Sequence, residues 1–337
     1  MPCQIVISVS DISQVGEARR IVARHSSAAK LSDAVQGKLA IITTELATNL
    51  VRHAGQGKLL LQELTTAVGS VTELISIDSG PGIANVEKAL TDGFSTGGTA
   101  GNGLGAIRRL ADEFDIYSQV GQGTVIVARV GSGPLNMAAP SDLVWGAVSI
   151  PAPHETECGD TWVLAAADEE FSLMVVDGLG HGPLAAEAAQ AAVAAFAANS
   201  RALPGRVLQA AHQKLSGTRG AAVAVACLAA GKKTLKYAGI GNINGALMSG
   251  DDRTGLVSHN GIVGSLKPKI QEFDYACSDR DILVMHSDGL QSRWTFQNYP
   301  GLRQRHPAVI AGLLYRDFVR GRDDVTVVVV RFRSTKA

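Results

Sequence analysis

Phe171-Ser172-Leu173-Met174-Val175-Val176 runs into Asp177-Gly178-Leu179-Gly180-His181-Gly182 and then Pro183: an apolar strand, an acidic glycine turn and a helix start. The glycines allow a sharp turn, and proline suits a first helical turn because no donor is needed there. The stretch therefore sets a carboxylate at a strand end. Upstream, Val144 to Ile150 and Thr161 to Ala166 read as strands. Downstream come two alanine-rich helices, Pro183 to Asn199 and Pro204 to Leu215, able to lie close on a sheet. Further strands are expected at Ala221 to Leu228, Thr234 to Ala238, Asn244 to Met248, Asp281 to His286 and Val325 to Phe332, with a helix from about Pro307 to Arg320. The pattern predicts a β-sandwich flanked by helices.

Three more acidic positions follow a strand or a glycine turn: Gly159-Asp160, Ser287-Asp288-Gly289-Leu290 and Gly321-Arg322-Asp323-Asp324-Val325-Thr326. Taken singly, each Asp-Gly is a turn signal. Together they predict strand-end carboxylates that converge when their strands share a sheet. Such a cluster repels itself and needs cations, and hard oxygen donors suit Mg²⁺ or Mn²⁺. Two such ions ~4 Å apart share a water, lower its pKa and direct it at a phosphate without a covalent intermediate. Cys158 lacks the arginine-bearing cradle of a thiol phosphatase, and His286 and Ser287 read as structural strand residues.

Residues 1–131 read as a different unit, divided from the rest by a linker at 132–142 rich in glycine, proline and small residues. From Asp33 to His53, Val35, Leu39, Ile42, Leu46 and Leu50 recur by threes and fours, one face of a helix that Ser32 or Asp33 can cap. Glu45, Asn49 and His53 form a polar stripe beside that face. A carboxylate and an amide one turn apart can hold Mg²⁺ and order a water. Strands at Leu59 to Leu64 and Val71 to Ile77 follow, the second entering Asp78-Ser79-Gly80-Pro81-Gly82, where Asp78 is an acceptor suited to an exocyclic amine. Gly101-Asn102-Gly103-Leu104-Gly105 precedes a helix from Ala106 to Ala111 whose opening turn can offer amides to phosphate. Gly121-Gln122-Gly123-Thr124 then enters the last strand, Thr124 to Arg129. Alternating long helices and paired strands predict an α/β sandwich with helices on one face of the sheet.

These four pieces, in this order, resemble the GHKL (Bergerat) ATPase family over roughly residues 5 to 130. The run from Gly103 to Asp115 is most similar to its RsbT-type serine kinases. The resemblance implies that Asn49 binds Mg²⁺, that Glu45 is the catalytic base, and that Asp78, Gly80, Gly82, Gly101, Gly103, Gly105 and Thr124 bind ATP. It also implies that Val86 to Ala100, including Lys88, forms the lid. Residues 143–337 resemble the metal-dependent protein phosphatase (PPM) family, and the Asp177 signature its SpoIIE and RsbX branch. That resemblance implies Asp160 and Asp177 as central ligands, the Gly178 carbonyl as a further donor, and Asp288 and Asp323 completing the pair, with Asp324 ranked behind Asp323. Asp177 is the implied catalytic position, and His181 is a weaker candidate as a general acid. The arginine that animal members use to hold phosphate has no evident match.

Composition narrows the partners. Lys plus Arg and Asp plus Glu are each 31; the first 130 residues hold 11 basic and 12 acidic side chains and the rest 20 and 19. Neither half is a basic arm, so no nucleic-acid partner is expected. The longest weakly polar stretch is mostly alanine, so no membrane partner is expected. The N-terminus lacks a secretory pattern and the four cysteines are far apart, which points to a cytoplasmic protein with reduced thiols. The leading expectation is a bifunctional signalling enzyme, an ATP-dependent serine/threonine kinase fused to a phosphatase. By resemblance its substrate is a STAS-domain protein of a sigma-factor or stressosome partner switch. Homodimerisation is left open. The alternatives are a non-catalytic, anti-sigma-like ATP-binding module joined to an active phosphatase, and a phosphatase regulated by ATP occupancy.

Overall fold

The computed structural model describes residues 3–66, 69–91, 103–131, 143–167, 170–228, 233–250, 252–265 and 268–332. The linker expected at 132–142 lies outside them. Contacts divide the chain into two units, one built on residues from Gln4 to Gly131 plus Tyr299–Arg316, the other on the remaining described residues.

The first unit begins β1 (Ile5–Val9), α1 (Ile12–Ala28), α2 (Asp33–Asn49), β2 (Gly57–Thr66) and β3 (Gly69–Ile77). It continues with α3 (Val86–Ala89), α4 (Gly103–Leu110), β4 (Glu113–Gln119) and β5 (Gly123–Gly131). Its strands form an antiparallel sheet in the order β1-β2-β3-β5-β4. Asp11 caps α1, accepting from the Ser13 amide at 2.8 Å, while Gln14 reaches back to the Asp11 amide at 3.1 Å. Ser32 caps α2 through the Val35 amide. The predicted apolar stripe of α2 is buried, together with Ala18, Val22 and Ile107, on Leu59, Leu61, Leu74, Ile126 and Ala128. After Asn49 the chain widens into a π-helical turn over Leu50–Ala54.

The second unit contains β6 (Leu143–Ile150), β7 (Asp160–Ala167), β8 (Glu170–Gly178), α5 (Pro183–Ala197), α6 (Pro204–Lys214), β9 (Ala221–Leu228) and β10 (Thr234–Ile240). Then come β11 (Asn244–Ser249), β12 (Asp252–Leu256), β13 (Phe273–Ala276), β14 (Ile282–His286) and finally β15 (Val325–Phe332), with helix α7 (Pro307–Phe318) lying between β14 and β15 in the sequence. Two five-stranded sheets, β13-β10-β9-β8-β7 and β12-β11-β14-β15-β6, face each other. Alternation along β8 explains both of this unit's cores: Leu173 and Val175 enter the sandwich with Trp162, Met285 and Val328, while Met174 and Val176 face α5 and α6. Leu173 is fully buried, and Leu173→Ala is expected to cost about 2–5 kcal/mol. Urea unfolding followed by tryptophan fluorescence measures this, since Trp145, Trp162 and Trp294 all belong to this unit. An unshifted midpoint would place Leu173 outside a cooperative core.

Most of α7 belongs to the first unit. The reason lies in β5, which is buried at every position, so its sheet needs cover on both faces. A Cβ on Gly312 would lie 3.0 Å from Val125 and 3.2 Å from Ile75, on the side opposite α1, α2 and α4. Lys58 donates to the Tyr315 hydroxyl at 3.0 Å, and Asp115 accepts the His306 amide at 2.5 Å. The expectation of helices on one face only is corrected by this helix, which arrives from far along the chain.

Candidate functional site

In the first unit, the capped helix α2 presents Glu45 and Asn49, and α4 opens beside them. A Cβ on Gly103 would lie 2.8 Å from Glu45 Oε2 and 3.8 Å from Asn49 Oδ1, so a side chain there would displace the carboxylate from this helix start. Gly80 touches Ala54 at the end of the π-helical turn, with 2.7 Å from an added Cβ to the Ala54 Cα. That contact brings the Asp78 loop to the end of α2. Gly105 is buried within α4. Gly101 and residues 92–100 of the expected lid lie outside the described residues.

Asp78 is fixed from both sides. Its Oδ1 accepts from the amides of Gly80 at 2.8 Å and Thr124 at 3.2 Å, and its main chain pairs with Thr124. Arg316 donates to its carbonyl at 3.2 Å. Gly123, at φ +92°, allows a contact that any side chain would block, since a Cβ there would lie 2.1 Å from the Asp78 carbonyl oxygen. Gly82, at φ +71°, does the same against Gln119. Ser118 ties the pieces, accepting from the Ile83 amide and sharing a hydrogen bond with Thr124 Oγ1, each at 2.8 Å. Burial raises the Asp78 carboxyl above its ordinary range, opposed by the Gly80 and Thr124 amides. Every described hydrogen bond to its side chain uses Oδ1, which leaves Oδ2 for an amine.

In the second unit, Asp160 opens β7 and Asp177 is the penultimate residue of β8, and the two are direct cross-strand partners. Like charges placed opposite each other are unfavourable. Asp288 follows β14 and Asp323 precedes β15, antiparallel neighbours in the other sheet, so both fall at one end of it. Ser287 joins the two sheets: fully buried, it donates to Asp160 Oδ2 at 2.5 Å and accepts the Thr326 amide at 3.0 Å. Burial, then the charge of Asp177, drives the Asp160 carboxyl well above its usual range. Burial, then Asp288 and Asp323, pushes Asp177 up to about 7. The four predicted aspartates thus share one electrostatic field.

This donor set fits divalent cations: hard oxygens whose mutual repulsion a cation relieves. Among the described residues no three acidic, histidine or cysteine side chains already stand at ligating distance around one point. The close approach at Gly178, where a Cβ would lie 2.2 Å from the Ala185 carbonyl oxygen, holds this main chain against the start of α5.

Three supporting residues were not given these roles by the sequence. Asn242 donates to Asp288 Oδ2 at 2.7 Å. Ser287 orients Asp160. Asp324 is buried and accepts the amides of Ala152 at 2.7 Å and Gly159 at 2.9 Å, while its own amide donates to Asp323 Oδ1 at 2.9 Å. Asp324 therefore shapes the loop before Asp160 and steers Asp323. The signals in the sequence are the Gly241-Asn242 turn after a strand and the doubled Asp323-Asp324. His286 is neutral: burial pulls it down to about 4, and its Nε2 accepts from Trp294. His181 is exposed and pairs with Glu155 at 2.7 Å. Burial raises the Cys158 thiol far above the ordinary range, so it is no thiolate nucleophile.

Residues 9–130 match the histidine kinase-like ATPase domain family, and residues 167–333 match the stage II sporulation protein E (SpoIIE) family. Over 93 residues the chain is 38% identical to the serine/threonine-protein kinase RsbT of Bacillus subtilis (strain 168), a match covering 28% of this chain and 70% of that one. It is similar to a chain solved in work on the bacterial stressosome as a modular system adapted to control secondary messenger signaling. That likeness has 28% identity and TM-score 0.52, over 56% of this chain and 99% of the other. A structure of RsbX in complex with magnesium aligns at 20% identity and TM-score 0.47, over 56% of this chain and 95% of its own. No helix among the described residues is long and apolar enough to cross a membrane. Gly103 meets Glu45 and Asn49 at the start of α4, and the chain belongs to the histidine kinase-like ATPase family through its RsbT-like first part and carries a SpoIIE domain after it in the sequence.

Proposed function

We propose that the chain is a bifunctional signalling enzyme whose first unit phosphorylates, and whose second unit dephosphorylates, serine or threonine on a STAS-domain partner of a partner-switching or stressosome pathway. The single observation that carries the reading is the presence of both residue sets, each held by its own fold, in one chain whose first part is 38% identical to a serine/threonine kinase. In the first unit Asp78 Oδ2 accepts the adenine amine, Asn49 would hold Mg²⁺, and Glu45 takes the proton from the attacking hydroxyl. Gly103 and Gly105 bring the α4 amides to the phosphates, with Gly101 completing that loop. In the second unit Asp160, Asp177, Asp288, Asp323 and the Gly178 carbonyl would hold a pair of divalent ions, Mg²⁺ or Mn²⁺. Such ions, when bound, supply a water of lowered pKa and neutralise phosphoryl oxygens. Ser287, Asn242 and Asp324 orient that carboxylate set. The test is to incubate the protein with a purified STAS partner, ATP and Mn²⁺, and follow phosphoserine and phosphothreonine. Turnover by both halves is expected, and none by either would overturn the reading.

The Asp78 assignment makes a pH prediction. The acceptor must be ionised, and burial has raised its pKa, so the uncharged form takes over at a higher pH than for an exposed carboxyl. Affinity for ADP is expected to fall as pH drops through that raised value, by up to about tenfold per pH unit below it. Calorimetry from neutral to mildly acidic pH measures this. An Asp78→Asn variant should bind weakly at every pH, and a flat wild-type profile would contradict the role given to Asp78.

A further inference from the structure

The side chains expected to meet the substrate in the second unit are carboxylates, and a phosphoserine dianion brings further negative charge to them. A fixed cation at the rim would complement that charge, and the turn before β9 provides one. Thr218 Oγ1 accepts the Gly220 amide at 3.0 Å and donates to the Leu215 carbonyl at 2.8 Å, while Gly220 takes φ +83°. The Gly220 carbonyl accepts the Leu179 amide at 3.0 Å, so this turn is fastened to the loop that begins at Asp177. Between Thr218 and Gly220 stands Arg219. Its Nη1 lies 3.2 Å from where a Cβ on Gly180 would be, so the guanidinium rests against the bare Cα of the acidic loop. Arg219 is exposed and forms no ion pair among the described residues. In that loop His181 is already engaged, paired with Glu155 at 2.7 Å.

We infer that Arg219 is the phosphate-gripping residue of the second unit. Its planar fork donates two hydrogen bonds to phosphoryl oxygens of the substrate, a geometry that lysine, a point charge, does not reproduce. This rests on the phosphatase reading above, and answers the missing arginine of the animal phosphatases from another part of the chain. The glycine at 180 acquires a reason beyond its φ of +88°, since a side chain there would push the guanidinium aside.

The experiment compares wild type, Arg219→Ala and Arg219→Lys in Mn²⁺ on a phosphoserine peptide, with orthophosphate binding measured separately by calorimetry. Arg219→Ala is expected to raise KM and weaken orthophosphate binding by roughly 10- to 100-fold, with kcat changed far less and Mn²⁺ affinity unaltered. Arg219→Lys should recover only part of the loss. Equal KM and equal orthophosphate affinity in wild type and Arg219→Ala would overturn the assignment, as would a loss of Mn²⁺ affinity that accounts for the whole effect. Absent peptide hydrolysis by wild type would count against the phosphatase reading, and orthophosphate binding would still decide whether Arg219 grips phosphate.

Discussion

Replacing Asp288 by asparagine is expected to lower metal-dependent hydrolysis of a phosphoserine partner by at least about a hundredfold, with the partner still phosphorylated by the first unit. Asp288 stands where the charges of both sheets meet: it accepts from Asn242 and helps push Asp177 up to about 7. Removing one negative charge relieves repulsion in the metal-free protein, so the variant should fold at least as well as wild type. A loss of activity without a loss of stability separates a ligand from a structural residue. Asn242→Ala should give a smaller defect, about 10- to 100-fold, since it removes only the group that orients the ligand. Unchanged Mn²⁺ dependence in Asp288→Asn would remove Asp288 from the metal set.

Glu45→Gln is expected to abolish most phosphorylation, by about 10²- to 10⁴-fold, while ATP binding persists. The substitution keeps the shape beside Gly103 and removes only the proton acceptor, so a structural explanation for lost activity is excluded by design. Nucleotide affinity measured alongside transfer of labelled phosphate to the partner checks both halves of the statement. Persistent partner binding with no transfer by either protein would favour the anti-sigma-like alternative, in which the first unit only sequesters.

How much could be read beforehand follows from which interactions are local. Helix α2 announced itself through Ser32 and the spacing of Val35, Leu39, Ile42 and Leu46, all decided within one element. The Asp177 turn was likewise legible, because its glycines and the following proline specify a strand, a turn and a helix in order. Helix α1 was not placed: Arg19, Arg20 and Arg24 dilute its pattern, and only Ala18, Val22 and Ser26 are buried. Helix α7 was placed along the chain but not in space. Residues Pro307 to Tyr315 are buried without exception, so no polar face indicates which surface it covers. The supporting residues were hidden for another reason. Ser287 reaches Asp160 across 127 positions and Asn242 reaches Asp288 across 46, distances over which a sequence carries no periodic signal.

Mass spectrometry of a co-purified STAS partner, after incubation with ATP and Mn²⁺, tests the opposition of the two units most directly. Wild type should leave an intermediate level of serine or threonine phosphate. Asp288→Asn should drive that level toward completion, and Glu45→Gln should hold it near zero. Equal phosphate on the partner in all three reactions would contradict the account.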